Sequence, residues 1–333
     1  MDILVYSGLE LIGDGVMKLP FLLAMRQRWP EARITWLAGK GRTVYAHELA
    51  PLVGPLIDEI IEEAGIGSRA AELLRRPLPG RRFDLAIDTQ RRVLTTLILR
   101  RLRCRCFVSG AANFLLSDKR PPRGYQRPPR LVDQLLDLVF VAGGTRVAAD
   151  FDLALGPPWR DAAARALPSG RPYIGLAPGA GGAHKRWPRE RFVALAEAQA
   201  QRGRSIALLL GPDECAWLEA LRKALPSALF PLQDPRIDRA VAASPLFTMA
   251  VGQRLAAAVA NDSGAGHLLA ASGCPLVSLF GPSPAAKFAP AARRLILVDA
   301  QRFGGNAMTD IPVEAVLAAL EQSLAPELPA LEG

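Results

Sequence analysis

The chain has 333 residues, half of them apolar, and a formal net charge of +9. That length suits two α/β domains, each able to bury its own core. No apolar run approaches the ~20 residues that span a bilayer, and Asp2 and Glu10 break any signal-peptide pattern at the start, so a cytoplasmic protein is expected.

In the first half, strand, turn and helix alternate. Strands are expected over 3–7, 33–37, 84–88 and 106–109, and helices over 17–28, 43–49, 93–103 and 131–141. Residues 121–130, PPRGYQRPPR, cannot be regular structure and read as an exposed basic loop. Gly156-Pro157-Pro158 through Pro168 marks a boundary, giving expected domains 1–156 and 157–333. The second half restarts the alternation. Its strands are expected over 173–177, 205–210, 257–261, 276–280 and 294–298, and its helices over 189–202, 214–224, 245–256, 265–272 and 312–324. The last helix is a candidate to pack back on the first domain. Two βα runs with apolar strands imply two doubly wound parallel sheets. Ligands of such sheets sit beyond the strand C-termini, so a cleft between the halves is the expected site.

The most informative stretch is Asn261-Asp262-Ser263-Gly264-Ala265-Gly266-His267, with Leu279-Phe280-Gly281-Pro282 after the next strand. A hydrophobic strand ends there in a polar, Gly-rich turn and a helix opens at once. Backbone amides and a helix N-terminus then aim at one spot, which attracts phosphate. Asp262 reads as a sugar-hydroxyl ligand or a cap, and His267 as a site residue or a packing residue. At the start of the second half, Pro178-Gly179-Ala180-Gly181-Gly182-Ala183-His184-Lys185-Arg186-Trp187-Pro188 sets a small-residue loop and two cations after a strand. Gly179 and Ala180 let backbone approach an anion, and Lys185 or Arg186 can neutralise a diphosphate; a solvated basic turn accounts for the stretch equally well. No Gly-Lys-Ser/Thr closes it, so it is not a Walker A loop. Gly211 and Glu214 end the next strand, where Glu214 could take ribose hydroxyls or cap a helix.

In the first half, Ile12-Gly13-Asp14-Gly15 follows the first strand. Asp14, in a Gly-flanked turn, is a candidate general base, although a helix cap is the favoured reading on the motif alone. Residues 75–130 hold 15 basic and 3 acidic side chains. Their partner is expected to be anionic, whether a small molecule, a membrane surface or nucleic acid; arginine stems solvating helix faces are the bland alternative. Cys104, Cys106, Cys215 and Cys274 form no metal-ligand pattern and are expected to be buried free thiols. Asp150-Phe151-Asp152 matches an Asp-x-Asp metal motif, but at a domain boundary chance is favoured, and no metal is assigned.

Taken together these pieces resemble the bacterial family-9 glycosyltransferases, the ADP-heptose:lipopolysaccharide heptosyltransferase family. The matching residues are Ile12-Gly13-Asp14 with Pro20, Asp88-Thr89-Gln90-Arg91-Arg92, Pro178-Gly179-Ala180 with Lys185-Arg186-Trp187-Pro188 and Arg191-Phe192, Gly211 with Glu214, and Asn261 to Gly264 with His267 and Phe280-Gly281-Pro282. The resemblance implies a GT-B fold of two facing Rossmann-like domains and inverting, metal-independent transfer without a cofactor. Asp14 matches the family's base, Lys185 its phosphate-binding lysine, Asp262 its donor-sugar ligand, and Ser263 and Gly264 the amides under the diphosphate. The donor would be ADP-heptose. The acceptor would be an anionic inner-core glycolipid, reached by Gly13, Arg91, Arg92, Arg120, Arg123 and Arg127, with peripheral contact to the inner membrane surface. The loop 180–183 lacks the family's Ser/Thr side chains, so phosphate would rest on backbone amides there, and Ser244-Pro245 stands where the family has a Ser-Leu-Glu helix start. Other nucleotide-sugar donors, a sugar-nucleotide epimerase and a non-catalytic basic binding protein remain alternatives. Nucleic acid is disfavoured by few aromatics and by carboxylates at strand ends.

Overall fold

A computed structural model describes residues 1–147 and 153–325. The chain divides into two compact units, Met1–Asp150 and Phe151–Gly333. The Asp150-Phe151-Asp152 motif lies outside the described residues.

The first unit holds a five-stranded parallel sheet in the order β3-β2-β1-β4-β5. Its strands are β1 (Asp2–Ser7), β2 (Arg33–Ala38), β3 (Glu59–Ile61), β4 (Phe83–Asp88) and β5 (Cys104–Ser109). Its helices are α1 (Ile12–Arg28), α2 (Ala50–Val53), α3 (Val93–Leu99) and α4 (Leu131–Gly143). Ile3, Leu4 and Val5 have no solvent exposure. A strand covered on both faces reads as a continuous apolar run, and each such side chain stabilises by about 1.5–3 kcal/mol.

The second unit repeats the plan in the order β10-β9-β8-β6-β7. Its strands are β6 (Tyr173–Ala177), β7 (Ser205–Leu208), β8 (Leu255–Asn261), β9 (Leu276–Phe280) and β10 (Leu295–Asp299). Around them lie α5 (Pro157–Ala166), α6 (Arg189–Gln201), α7 (Leu218–Ala224), α8 (Arg239–Ala242), α9 (Pro245–Gly252), α10 (Gly264–Ala271), α11 (Ala285–Phe288) and α12 (Val313–Leu324). Trp187, Phe192, Val259, Leu279, Val316 and Leu320 belong to its core.

Both sheets are parallel and doubly wound, as expected, and each has one place where strand order reverses. That switch point lies between β1 and β4 in the first unit and between β6 and β8 in the second. Chains leaving the strands on either side of it diverge and leave a crevice open.

Several expectations need correction. Helix α1 begins at Ile12, five residues before the expected Met17, despite Gly13 and Gly15. Packing overrides propensity here: Tyr45 donates to the Gly15 carbonyl (2.7 Å), and a Cβ on Gly15 would stand 2.5 Å from Val44 Cγ2. The helix expected over 43–49 is a series of turns, and only Ala50–Val53 is helical. Helix α3 stops at Leu99 rather than Arg103, because β5 starts at Cys104 and the chain must turn before it. The stretch expected as a boundary from Gly156 to Pro168 contains α5, with prolines in its first turn, where a missing N–H costs nothing. Helix α12 packs on β8, β9, β10 and α6, a packing that does not bear on the expectation for the first domain. Of the four thiols, all free, only Cys274 is buried and Cys215 is exposed. Among the described residues no helix is long and apolar enough to cross a membrane.

Candidate functional site

Each switch point carries residues singled out from the sequence. In the second unit, loop 178–187 leaves β6 and Asn261-Asp262 ends β8, its neighbour across the reversal. Asn261 is fully buried and joins the two. Its Nδ2 donates to the Pro178 carbonyl (2.8 Å), and its Oδ1 accepts from the Trp187 N–H (3.2 Å). Trp187 Nε1–H in turn donates to the Ile311 carbonyl (2.9 Å). The loop is therefore pinned at both ends, and the cations between them have a defined place.

Lys185 Nζ lies 2.9 Å from Asp262 Oδ2. Arg186 donates from Nε to the Ala180 carbonyl (3.2 Å), stands over the Trp217 ring, and lies 3.1 Å from Glu214 Oε1. Glu214 sits in a short 3-10 helix, Pro212–Trp217, and is buried. Burial pushes its carboxyl above the ordinary range although the Arg186 charge opposes this. Arg186 approaches Oε1 without hydrogen-bond alignment, so that oxygen is buried with no donor. Gly179 and Gly211 both lie against this carboxylate, which a side chain at either would displace. A Cβ on either would stand 2.5 or 2.8 Å from Glu214 Oε2.

Asp262 donates its own N–H to the Leu279 carbonyl of β9 (3.0 Å). Ser263 caps α10, its Oγ accepting from the Gly266 N–H (3.4 Å). Gly264 is the first residue of that helix, and His267 is buried one turn in. Thus Gly179, Ala180, Lys185, Arg186, Gly211, Glu214, Asp262, Ser263 and Gly264 converge at one end of one sheet: two cations, their two carboxylate partners, one with an oxygen that accepts no hydrogen bond, and a helix opening. Ser244 is the N-cap of α9, its Oγ accepting from the Leu246 N–H (3.2 Å).

In the first unit, Gly13 and Asp14 follow β1, and Gln90-Arg91-Arg92 follow β4, again on both sides of the reversal. Asp14 is exposed and lies within the first turn of α1, not in a turn preceding the helix. Its Oδ2 accepts from the Leu11 N–H over 3.3 Å, the reach-back of a helix start. Arg91 donates to Gln134 Oε1 (2.9 Å). Arg127 donates to the Gly110 carbonyl (3.0 Å) and to Asn113 Oδ1 (3.1 Å). Both side chains border Gly110, whose carbonyl Arg127 holds and beside which Arg91 Cγ packs, and burial followed by the Arg127 charge lowers the Arg91 pKa. Arg120 reaches only the Leu115 carbonyl (3.4 Å), and Arg123 is exposed with no partner among the described residues. The structure brings Arg91 and Arg127 to the same Gly110.

Sequence reasoning missed the role of Asp88, the residue that holds Gln90-Arg91-Arg92 in place. Asp88 is fully buried opposite Tyr6. Oδ1 accepts from the Gln90 N–H (2.8 Å), and Oδ2 from the hydroxyls of Thr96 (2.6 Å) and Ser109 (2.9 Å). Burial outweighs these bonds and raises its pKa to about 6. An unfolded aspartate titrates near ~3.9, so across this window the folded chain binds the extra proton, and the group's stabilisation is lost as pH rises. Asp88→Asn keeps the shape without the charge. Its unfolding free energy relative to wild type should improve by about 2–3 kcal/mol between pH 4 and pH 7. Denaturant titrations at the two pH values check this; a constant difference would contradict it.

Comparison with known proteins decides the family. Residues 72–307 match the model of Glycosyltransferase family 9 (heptosyltransferase). The chain belongs to that family. It is 34% identical over 119 residues to Lipooligosaccharide heptosyltransferase 2 of Haemophilus influenzae; that match takes in 35% of this chain and 34% of the relative, so it spans about a third of the relative's length. Against Lipopolysaccharide heptosyltransferase 3 of Escherichia coli the match is 23% over 359 positions, covering 96% and 97% of the two chains. The solved structure of the E. coli ADP-heptose lps heptosyltransferase II aligns with TM-score 0.66 at 22% identity, over 97% of this chain and 98% of that one. The family-9 protein is a glycosyltransferase, and its two doubly wound domains are those of the GT-B class.

Proposed function

We propose that this glycosyltransferase moves heptose from ADP-heptose to an anionic inner-core glycolipid, with inversion and without a metal ion. The observation that carries the reading is the convergence at the β6/β8 switch point of Lys185, Arg186, the donorless oxygen of Glu214 and the opening of α10. A buried acceptor left unpaired costs ~1–3 kcal/mol, and a ribose hydroxyl donating to Glu214 offsets that cost. The diphosphate lies against Lys185, Arg186 and the helix N-terminus, and Asp262 takes donor-sugar hydroxyls.

Asp14 removes the proton from the acceptor hydroxyl as that oxygen attacks the anomeric carbon. The bond from the anomeric carbon to the phosphate oxygen breaks, the proton stays on Asp14, and ADP leaves with its charge held by the cations. Family membership supports heptose as the sugar, and the motif resemblance supports ADP as its carrier.

Arg91 and Arg127 are the acceptor's anchors in this reading. Neutralising both should raise the acceptor Michaelis constant several-fold while ADP affinity holds. Added salt should do the same to wild type, since exposed charges are screened within ~8 Å at physiological ionic strength. Unchanged acceptor kinetics in the double variant at low salt would remove the anionic-acceptor argument.

Peripheral contact with an anionic bilayer belongs to the same reading. Arg76, Arg82, Arg103 and Arg105 outnumber Asp2 and Asp84, the latter 3.5 Å from Arg105, around an open cavity of about 510 Å³ at the N-terminal ends of β4 and β5, and Leu74 nearby in sequence is 85% exposed. Vesicles rich in phosphatidylglycerol should co-sediment with the protein, phosphatidylcholine vesicles should not, and Arg76→Glu with Arg82→Glu should abolish the difference. Equal binding to both vesicles would contradict it.

A further inference from the structure

A buried ionic cluster lies beside Asp14 and has no part in the scheme above. Residues 8–11 carry the chain from β1 into α1. Apolar packing does not anchor them, because Leu9 is 60% and Leu11 71% exposed. Between these two, Glu10 turns inward and is only 4% exposed. Its Oε1 accepts from Lys18 Nζ (2.9 Å) and its Oε2 from the Thr43 hydroxyl (2.5 Å). Lys18, also buried, donates to the Ser7 hydroxyl (2.6 Å) at the end of β1. Burial alone would push the Glu10 carboxyl up, but the Lys18 charge and the surrounding hydrogen bonds hold it below the usual range. One carboxylate thus ties the connection to β1, to α1 and to the segment after β2.

That connection carries the hydrogen-bond partner of Asp14 among the described residues, the Leu11 N–H next to Glu10. Lys18 lies four residues after Asp14 in α1, on the same face of the helix. The same segment that holds Glu10 through Thr43 also clamps the first turn, by Tyr45 on the Gly15 carbonyl and by Val44 against Gly15. A buried ion pair is expensive to desolvate, and apolar residues of similar size often match it in stability. Stability alone therefore does not call for Glu10 and Lys18, whereas a fixed helix start does.

We propose that Glu10 and Lys18 are positioning residues for Asp14, their buried pair holding the start of α1 in the geometry that turnover requires. The inference rests on Asp14 being the base. The test is a kinetic cycle of Lys18→Met, Lys18→Arg, Asp14→Asn and the Lys18→Met/Asp14→Asn double variant, following product formation. Lys18→Met should lower kcat at least tenfold and change the donor KM less than twofold. Lys18→Arg, which keeps the charge, should recover a large part of kcat. In the Asp14→Asn background, Lys18→Met should add less than a twofold loss, because the residue it positions is gone. If Lys18→Met does not fold, Glu10→Gln and Thr43→Val loosen the same clamp without emptying it and should show the same split. Wild-type kcat in the clamp variants, with Asp14→Asn still inactive, overturns the inference and leaves the base standing. Equal losses in both backgrounds also overturn it, since Lys18 would then act only on the fold. Wild-type turnover in Asp14→Asn defeats the base, and the positioning role with it.

Discussion

Asp14→Asn should cut turnover by ~10²–10⁴, the usual contribution of a positioned general base, while ADP affinity stays near wild type. The carboxylate is exposed at the first turn of α1, beyond the C-terminal end of β1 and beside the reversal in strand order. Among the described residues its one hydrogen bond, a long one from the Leu11 N–H, leaves most of its acceptor capacity open. Asparagine keeps an oxygen for that N–H, so the helix start should survive and the loss should fall on kcat rather than on folding. Steady-state rates with calorimetry of ADP on the same preparation separate the two. Wild-type turnover would reduce Asp14 to a helix-start residue.

Lys185→Ala should weaken ADP binding about tenfold or more, as expected for losing a charge-assisted bond to a diphosphate. The ion pair with Asp262 sharpens the prediction. Without Lys185 the Asp262 carboxylate, only 10% exposed, would lose its ion-pair partner where the proposed diphosphate binds. Lys185→Ala combined with Asp262→Asn should therefore bind ADP more tightly than Lys185→Ala alone. Calorimetry of both variants decides; an ADP affinity untouched by Lys185→Ala would make the lysine a structural partner of Asp262 and nothing more.

Much of the fold was legible because parallel strands buried on both faces leave continuous apolar runs, such as Ile3-Leu4-Val5 and Leu255 to Ala260. The donor-side loop was legible for a related reason. The Ser-capped helix is demanded locally, by α10 at Ser263, and the strand-to-glycine turn before the two cations marks a loop whatever Glu214 adds from a distance. The start of α1 was not legible, since two glycines argue against a helix and only the distant Val44 and Tyr45 argue for one. Thr43 to Leu49 misread for the complementary reason: Thr43 and Tyr45 are committed to Glu10 and Gly15, which sequence periodicity cannot register. Glu10, Lys18 and Asp88 carry no local mark of burial. A charged residue reads as solvated until the fold supplies its partner, and Asn261 showed only its place in a turn, not the two backbone groups it joins.

The central claim is tested most directly by incubating the protein with ADP-heptose and a lipid-linked inner-core acceptor in the presence of a chelator, and weighing the acceptor by mass spectrometry. The acceptor should gain the mass of one heptose residue, with one ADP released per transfer and no requirement for added metal. An unchanged acceptor alongside intact ADP-heptose, with transfer from a uridine or guanosine diphosphate sugar instead, would contradict the account.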